Sequence, residues 1–106
     1  MEIKELYSIF CKCGTVTTDS RTIRGGELFF ALKGENFDGN EYASKALDAG
    51  ASYAVVNESA PIASHVSEYV DAEGNSRIIP VPDTLQTLQD LARYHRSMCL
   101  EMSILR

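Results

Sequence analysis

Five consecutive apolar residues, Leu28 to Leu32, are the feature that most restricts how this chain can fold. An apolar run of this length, preceded by a Gly25-Gly26 turn and followed by a polar loop, is typical of a strand that is buried on both faces. A β-branched segment over 15–18 precedes the turn and predicts a second, shorter strand. The centre of the fold is therefore expected to be a sheet with helices packed against it.

Downstream of this run, a helix and a further strand continue an alternating pattern. Apolar residues between Tyr42 and Ala49 recur at helical spacing, with Asn40 as the expected N-cap and Gly50 as the expected C′ residue. The segment 53–56 is then strand-like, and a strand–helix–strand unit is most often part of a parallel sheet. The predicted fold class is α/β, with a small mixed or parallel sheet flanked by helices.

The remaining segments predict five more elements. They are a helix that ends before Gly14, a short helix near His65 to Tyr69, a strand over 77–81, a long helix that is capped by Asp83 and fades near Met98, and a strand over Met102 to Leu105. Pro80 has no N–H to donate to a sheet ladder, so the strand over 77–81 is expected near an edge.

The composition predicts a cytoplasmic domain without a nucleic-acid partner. The chain has 106 residues and a formal net charge of -5, whereas nucleic-acid binding calls for a basic face. No apolar stretch approaches the roughly 18 residues of a membrane span, and the charged N-terminus lacks the apolar core of a secretory signal. The three cysteines are expected as free thiols. Cys11-x-Cys13 has no second Cys or His pair at zinc spacing, so no metal site is predicted.

The loop after the first strand carries Asp19-Ser20-Arg21. The serine hydroxyl can both donate and accept a hydrogen bond, and the planar guanidinium of Arg21 matches the oxygens of a phosphate. Asp19 is expected to hold Arg21 or the backbone of the loop. The alternative is an ordinary Asp/Ser turn with a solvated arginine.

The loop after the buried strand reads Lys33-Gly34-Glu35-Asn36-Phe37-Asp38-Gly39 and leads into a helix. Glycine lets the backbone approach a ligand closely, and a helix N-terminus favours anionic groups. Asn36 can pair with the edge of a nucleobase, and Phe37 can stack on a ring. The alternative is a plain connection, with Phe37 in the core and Lys33 in water. Together the two loops are expected to form a cradle for a phosphorylated ligand at one end of the sheet.

Residues for catalysis are not apparent in this sequence. It contains neither a G-x-x-x-x-G-K-[ST] phosphate loop nor a G-x-G-x-x-G turn, so no means of activating ATP is visible. No serine has a matched His/Asp pair at a recognisable motif, and a structural role is expected for His65 and His95. We therefore predict no catalytic residue in the chain itself.

Several short motifs follow one another in a characteristic order. They are Asp19-Ser20-Arg21, Gly26-x-Leu28-Phe29-x-Ala31-Leu32-Lys33-Gly34, Phe37-Asp38-Gly39, Ala46, Gly50-Ala51, Ala54-Val55-Val56 and Asp83-Thr84-Leu85-x-x-Leu88-Gln89-x-Leu91-Ala92. This ordered set, over residues 1 to about 100, resembles the N-terminal domain of the Mur ligases. The resemblance implies a UDP-substrate-binding domain over 1–100, with 101–106 starting the linker or first strand of a central ATPase domain that this chain lacks.

The resemblance also implies an activity for the parent enzyme. Such ligases use ATP and Mg²⁺ to extend the peptide of a UDP-MurNAc substrate in peptidoglycan synthesis, and they carry central and C-terminal domains that would be partners of this one. The motifs are nearest to ligases that add D-Ala-D-Ala to UDP-MurNAc-tripeptide. Ligases that add the third-position diamino acid to UDP-MurNAc-dipeptide are one alternative, and a non-catalytic interaction module with the same fold is another. The fragment alone is expected to be inactive.

Candidate binding residues come from two sources. The resemblance implies contacts to the UDP-muramoyl portion from Thr18, Ser20, Glu35, Asn36 and Phe37. The physical properties described above add Arg21, Lys33 and Gly34 to these. Many relatives have His after the Asp-Gly pair, where this chain has Asn40. Glu35 is an acid beside an expected pyrophosphate, so its backbone N–H is the expected contact.

Overall fold

Four parallel strands form the centre of the fold in the computed structural model, which describes residues 2–33 and 38–104, the last six of them by backbone alone. The strands are β1 (Val16–Thr17), β2 (Leu28–Phe30), β3 (Tyr53–Asn57) and β4 (Ile78–Val81), and they lie in the order β1-β2-β3-β4. Each neighbouring pair is parallel, so the predicted α/β class is confirmed. β4 lies at an edge of the sheet, as Pro80 predicted.

Three α-helices and three short 3-10 helices surround the sheet. They are α1 (Ile3–Cys13), α2 (Ala43–Asp48) and α3 (Thr84–Ile104), with 3-10 helices at Ser20–Thr22, Gly39–Tyr42 and Pro61–His65. The cap predicted for α3 is confirmed, because the carboxylate of Asp83 accepts the N–H of Gln86 at 3.1 Å. None of the helices in the described residues is both long and apolar enough to cross a membrane.

The two faces of the sheet carry two separate apolar clusters. Successive side chains of a strand point to opposite faces. Leu28 and Phe30 therefore pack in one cluster with residues of α1 and α3, and Phe29 packs in the other with residues of α2. All three side chains are at most 1% exposed. The continuous apolar run in the sequence thus reflects a strand with helices on both sides.

The end of α2 is fixed by a glycine and an arginine. Gly50 has a φ of 118°, and the N–H of Ala51 donates to the carbonyl of Ala46 at 3.0 Å, which is the bond expected of a Schellman motif. The guanidinium of Arg77 donates to the carbonyls of Leu47 and Ala51 from the other side. The predicted role of Gly50 is confirmed, and Arg77 joins this turn to the segment that enters β4.

Three predictions along the helical segments are wrong. The short helix expected near His65 to Tyr69 lies earlier, over Pro61–His65, because Pro61 has a φ suited to the first helical turn. α3 does not fade near Met98 but continues to Ile104, so the strand expected from Met102 is helical there, and Leu105 lies outside the described residues. A helix satisfies its backbone locally, whereas a strand needs a partner strand, and none of the described strands lies beside this segment.

Candidate ligand-binding site at the carboxyl edge of the sheet

The loops that follow β1 and β2 lie at the same edge of the sheet. β1 and β2 are parallel neighbours, with Thr17 opposite Phe29, so their carboxyl ends point the same way. Ligands of open α/β sheets bind in crevices at this edge. The predicted juxtaposition of the two loops is present for the residues that the structure describes.

A cavity of about 430 Å³ lies beside the first of these loops. Its wall is formed by residues of the loop together with two aromatic side chains: Thr18, Asp19, Ser20, Arg21, Phe29 and Tyr42. Three of the predicted binding residues, Thr18, Ser20 and Arg21, are therefore brought together. Lys33 is exposed and is not part of this wall. Gly34, Glu35, Asn36 and Phe37 lie outside the described residues.

Internal hydrogen bonds determine the shape of the Ser20 loop. The hydroxyls of Thr17 and Thr22 lie 3.0 Å apart, and that of Thr22 also donates to the carbonyl of Asp19 at 2.9 Å. Thr17 in turn accepts the N–H of Asp19 at 3.2 Å. Within the described ranges, by contrast, the hydroxyl of Ser20 has no hydrogen-bond partner. Ser20 is thus held on the cavity wall with its donor and acceptor available to a ligand.

Asp19 holds both Arg21 and the loop backbone, the two roles expected of it. Its carboxylate accepts the backbone N–H of Arg21 at 2.9 Å and forms an ion pair with the guanidinium at 3.0 Å. The hydrogen bond from the Arg21 side chain is the main reason that the pKa of Asp19 lies below its usual value. The pair leaves little net charge, so Arg21 offers a ligand its remaining N–H groups more than a free positive charge.

The loop that follows β2 spans residues 33–38, and its two ends, here called its stems, are joined to each other. Lys33 and Asp38 form an antiparallel bridge, and the N–H of Gly39 donates to the carbonyl of Leu32 at 2.7 Å. A β-carbon on Gly39 would lie only 2.7 Å from that same carbonyl oxygen. Glycine is therefore required here by the close approach of two backbone segments.

Asn40 is not the helix cap that its position suggested. Asp38 caps the 3-10 helix Gly39–Tyr42, because its carboxylate accepts the N–H of Asn40 at 3.0 Å. A carboxylate two residues before an N–H readily forms such a turn. The side chain of Asn40 is instead buried, 6% exposed, and accepts the N–H of Asn57 at 2.9 Å.

Tyr42, like Phe29, lies on the cavity wall although the sequence did not predict it as a site residue. Its spacing assigned it to the apolar face of a helix, and it does pack partly against the α2 side of the core. The 3-10 turn that precedes α2 also places its ring on the cavity wall near Arg21. The only available signal was its position just after a loop that leaves the carboxyl end of a strand.

The described side chains do not form a site that suits a metal ion. They contain no group of three His, Cys, Asp or Glu residues that could hold a metal. Cys11 is exposed, and burial raises the pKa of the half-buried Cys13, which disfavours the thiolate that metals bind.

A family model and individual relatives of known sequence point to the same protein family. The sequence model described as "Mur ligase family, catalytic domain" matches residues 12–96. The UDP-N-acetylmuramoyl-tripeptide–D-alanyl-D-alanine ligase of Bacillus subtilis is 36% identical over 78 residues, which cover 74% of this chain and 15% of that protein. A UDP-N-acetylmuramoyl-L-alanyl-D-glutamate–2,6-diaminopimelate ligase of Haemophilus influenzae is 38% identical over 74 residues, 70% of this chain and 14% of that protein.

A solved structure agrees with the sequence relatives. The crystal structure of MurF ligase from Thermotoga maritima in complex with ADP superposes with a TM-score of 0.57 and 29% identity, covering 76% of this chain and 16% of that one. The chain thus spans about 15% of the length of the relatives that it matches. With a family model matched over most of its length, this chain belongs to the Mur ligase family.

Proposed function

We propose that this chain is the N-terminal domain of a peptidoglycan-synthesis ligase and that it binds the uridine diphosphate end of a UDP-MurNAc-peptide. The observation that carries the proposal is the hydroxyl of Ser20, which has no hydrogen-bond partner among the described residues and lies on the wall of a 430 Å³ cavity at the carboxyl edge. The family match supports the ligase class. The cavity would take the nucleotide end, with Thr18 and Ser20 as contacts and Arg21 donating to a phosphate.

The second loop completes the proposed site. Lys33 and Gly34 would approach the pyrophosphate, and Glu35, Asn36 and Phe37 would contact the UDP-muramoyl portion, with Glu35 using its backbone N–H. The joined stems, Lys33 and Asp38, support this proposal because they lie at the same edge as Ser20.

The role we assign to this domain is capture and orientation. Binding energy from a remote part of a substrate can position its reacting group, and the nucleotide lies far from the peptide carboxylate. ATP and Mg²⁺, which we propose for the whole enzyme, would be bound by domains outside this chain. The chain alone would then be inactive as a ligase, and we place the enzyme in the cytoplasm, where its nucleotide substrates are found.

We favour UDP-MurNAc-tripeptide as the substrate and D-Ala-D-Ala as the group added, because relatives of that name from Bacillus subtilis, Treponema pallidum and Rickettsia prowazekii match 74–79% of the chain. Addition of the third-position diamino acid is the second candidate, since the Haemophilus influenzae relative is as similar in sequence. Turnover of UDP-MurNAc-tripeptide against UDP-MurNAc-dipeptide by the full-length enzyme distinguishes the two. Turnover of the dipeptide alone would exclude the first.

A calorimetric titration tests the binding proposal directly. The full-length protein should bind UDP-MurNAc-tripeptide, and Ser20→Ala should weaken binding by about five- to tenfold, the effect of one lost hydrogen bond. Ser64→Ala is the matched control, because Ser64 is exposed and bonds only to the carbonyl of Pro61. No binding by the wild type, or equal binding by both serine variants, would refute the proposal.

A further inference from the structure

A chain of buried and half-buried hydrogen bonds connects both stems of the 33–38 loop to β3 and α3. Asn40 lies at its centre, with its Nδ2 donating to Asp38 at 2.7 Å and its Oδ1 accepting the N–H of Asn57 at 2.9 Å. The side-chain oxygen of Asn57 accepts the N–H of Thr84, the first residue of α3, at 3.0 Å. The hydroxyl of Thr84 then donates to the carbonyl of Ala31 at 2.7 Å.

The last hydrogen bond of this network ends at Ala31, shortly before the 33–38 loop from which the network starts. Ala31 lies between β2 and the first stem, and Leu32, the next residue, accepts the N–H of Gly39 in the second stem. The first stem is thus attached to α3 and the second to β3. Both attachments are hydrogen bonds made by buried side chains, since Asn40 is 6% exposed and Thr84 is 2% exposed.

The polar side chains of this network hydrogen-bond to one another and to the backbone. No buried side-chain nitrogen or oxygen in the described part of the chain lacks a hydrogen bond. A satisfied network of buried polar groups favours a single geometry, because each alternative would leave a group unpaired at a cost. Apolar packing alone would hold the stems near the sheet without fixing their angle.

We propose that Asn40 and Asn57 are positioning residues, which fix the described stems of the 33–38 loop, Lys33 and Asp38, at the edge of the sheet where the nucleotide end of the substrate would bind. This inference rests on the proposed function, because it assumes that the loop binds that end. Neither asparagine lines the cavity beside Ser20, so their effect passes through Asp38 and Thr84 rather than through contact with the ligand.

Steady-state kinetics of the full-length enzyme test the proposal with Asn40→Ala. Misplacement of the loop should raise the KM for UDP-MurNAc-tripeptide by about ten- to a hundredfold, and the KM for D-Ala-D-Ala should be unchanged. Partial unfolding would instead lower the amount of active enzyme, and therefore the maximal rate, without raising that KM. Asn75→Ala is the control, because Asn75 is exposed and, among the described residues, only its backbone takes part in hydrogen bonds.

A second pair of variants covers the case in which Asn40→Ala does not fold. Thr84→Val keeps the shape of the side chain but loses the bond to Ala31, whereas Thr84→Ser keeps the hydroxyl. Titration with UDP should show weaker binding by the valine variant and near wild-type binding by the serine variant. Equal UDP binding by wild type and both threonine variants, or an unchanged KM in Asn40→Ala, overturns the positioning role. Absence of UDP binding by the wild type would refute the proposed function itself.

Discussion

The guanidinium of Arg21 donates two hydrogen bonds to the carboxylate of Asp19, from Nε to Oδ1 and from Nη2 to Oδ2, each 3.0 Å long. This fork joins two neighbours of Ser20 on the cavity wall. The Arg21 side chain is 88% exposed, so the pair holds it on the solvent-facing part of the cavity wall.

Arg21→Ala should raise the pKa of Asp19 toward the ordinary value of an aspartate, because the side-chain hydrogen bond from Arg21 is the main cause of its lowered pKa. A carboxylate with a lowered folded-state pKa stabilises the fold above its unfolded pKa, and this contribution is lost as the pH falls through the folded pKa. NMR titration of the Asp19 carboxyl carbon measures the shift. Arg24→Ala is the control, and the same titration curve in wild type and Arg21→Ala would contradict the prediction.

Glu27→Gln should lower the stability of the domain at neutral pH. Glu27 is 7% exposed, and its two carboxylate oxygens accept the N–H groups of Arg24 and Gly25, each at 2.7 Å. The hydrogen bond from Arg24 has the largest effect, and together with that from Gly25 it lowers the pKa of Glu27 below 4.5. Its contribution is therefore complete above that value and disappears as the pH falls through the folded pKa.

Urea unfolding at several pH values tests this contribution. The wild type should lose stability more steeply than Glu27→Gln below about pH 5, so the two should converge in acid. Glu58→Gln is the control, because Glu58 is exposed and its side chain has no hydrogen bond in the described part of the chain. A constant difference between Glu27→Gln and wild type down to acid pH would count against the assignment.

Arg77→Ala should lower the free energy of unfolding by about 2 kcal/mol, because Arg77 is half-buried and donates to three carbonyls at the end of α2 and in the turn to β3. Arg77→Lys should recover only part of this, since an ammonium cannot span three acceptors as a guanidinium does. Thermal unfolding monitored by circular dichroism measures the difference. Arg93→Ala is the control, because Arg93 is exposed. Equal stability of Arg77→Ala and Arg93→Ala would refute the prediction.

Gly39→Ala should cost about 1–3 kcal/mol and should also weaken UDP binding. The added β-carbon would lie 2.7 Å from the carbonyl oxygen and 2.8 Å from the nitrogen of Leu32, and backbone atoms cannot turn aside as a side chain can. Gly74→Ala is the control, because it makes the same substitution at a glycine outside the 33–38 loop. It has a φ of 86° with open space around it, so it should lose stability by about 1–2 kcal/mol and keep UDP binding. Equal UDP binding by both variants would contradict the prediction.

Much of the fold follows from local patterns in the sequence. The apolar run over 28–32 indicated β2, Gly50 marked the end of α2, and Asp83 marked the start of α3, because each of these signals acts within one or two turns of chain. The C-terminal end of α3 was not predicted, because the composition of its last residues favours a strand. Met102 and Ile104 suit a strand by composition, but the backbone continues the helix already begun.

The candidate site was predicted only in part. Thr18, Ser20 and Arg21 share a cavity wall, as their position after β1 suggested, whereas Tyr42 was assigned only to the core. The expected contacts of 34–37 lie outside the described residues and stay predictions. Asn40 was misassigned because a cap and a buried network residue have the same local sequence signal.

The sequence by itself determined most of the strands and helices up to α3 and the family, since these depend on side chains that act on nearby backbone or recur in a recognisable order. Only the tertiary structure decided which polar groups hold the site in place. The bonds from Asn57 to Asn40, from Thr84 to Asn57 and from Thr84 to Ala31 join residues 17, 27 and 53 positions apart. No local pattern encodes such pairings, because they exist only once parallel strands bring their carboxyl ends to one edge.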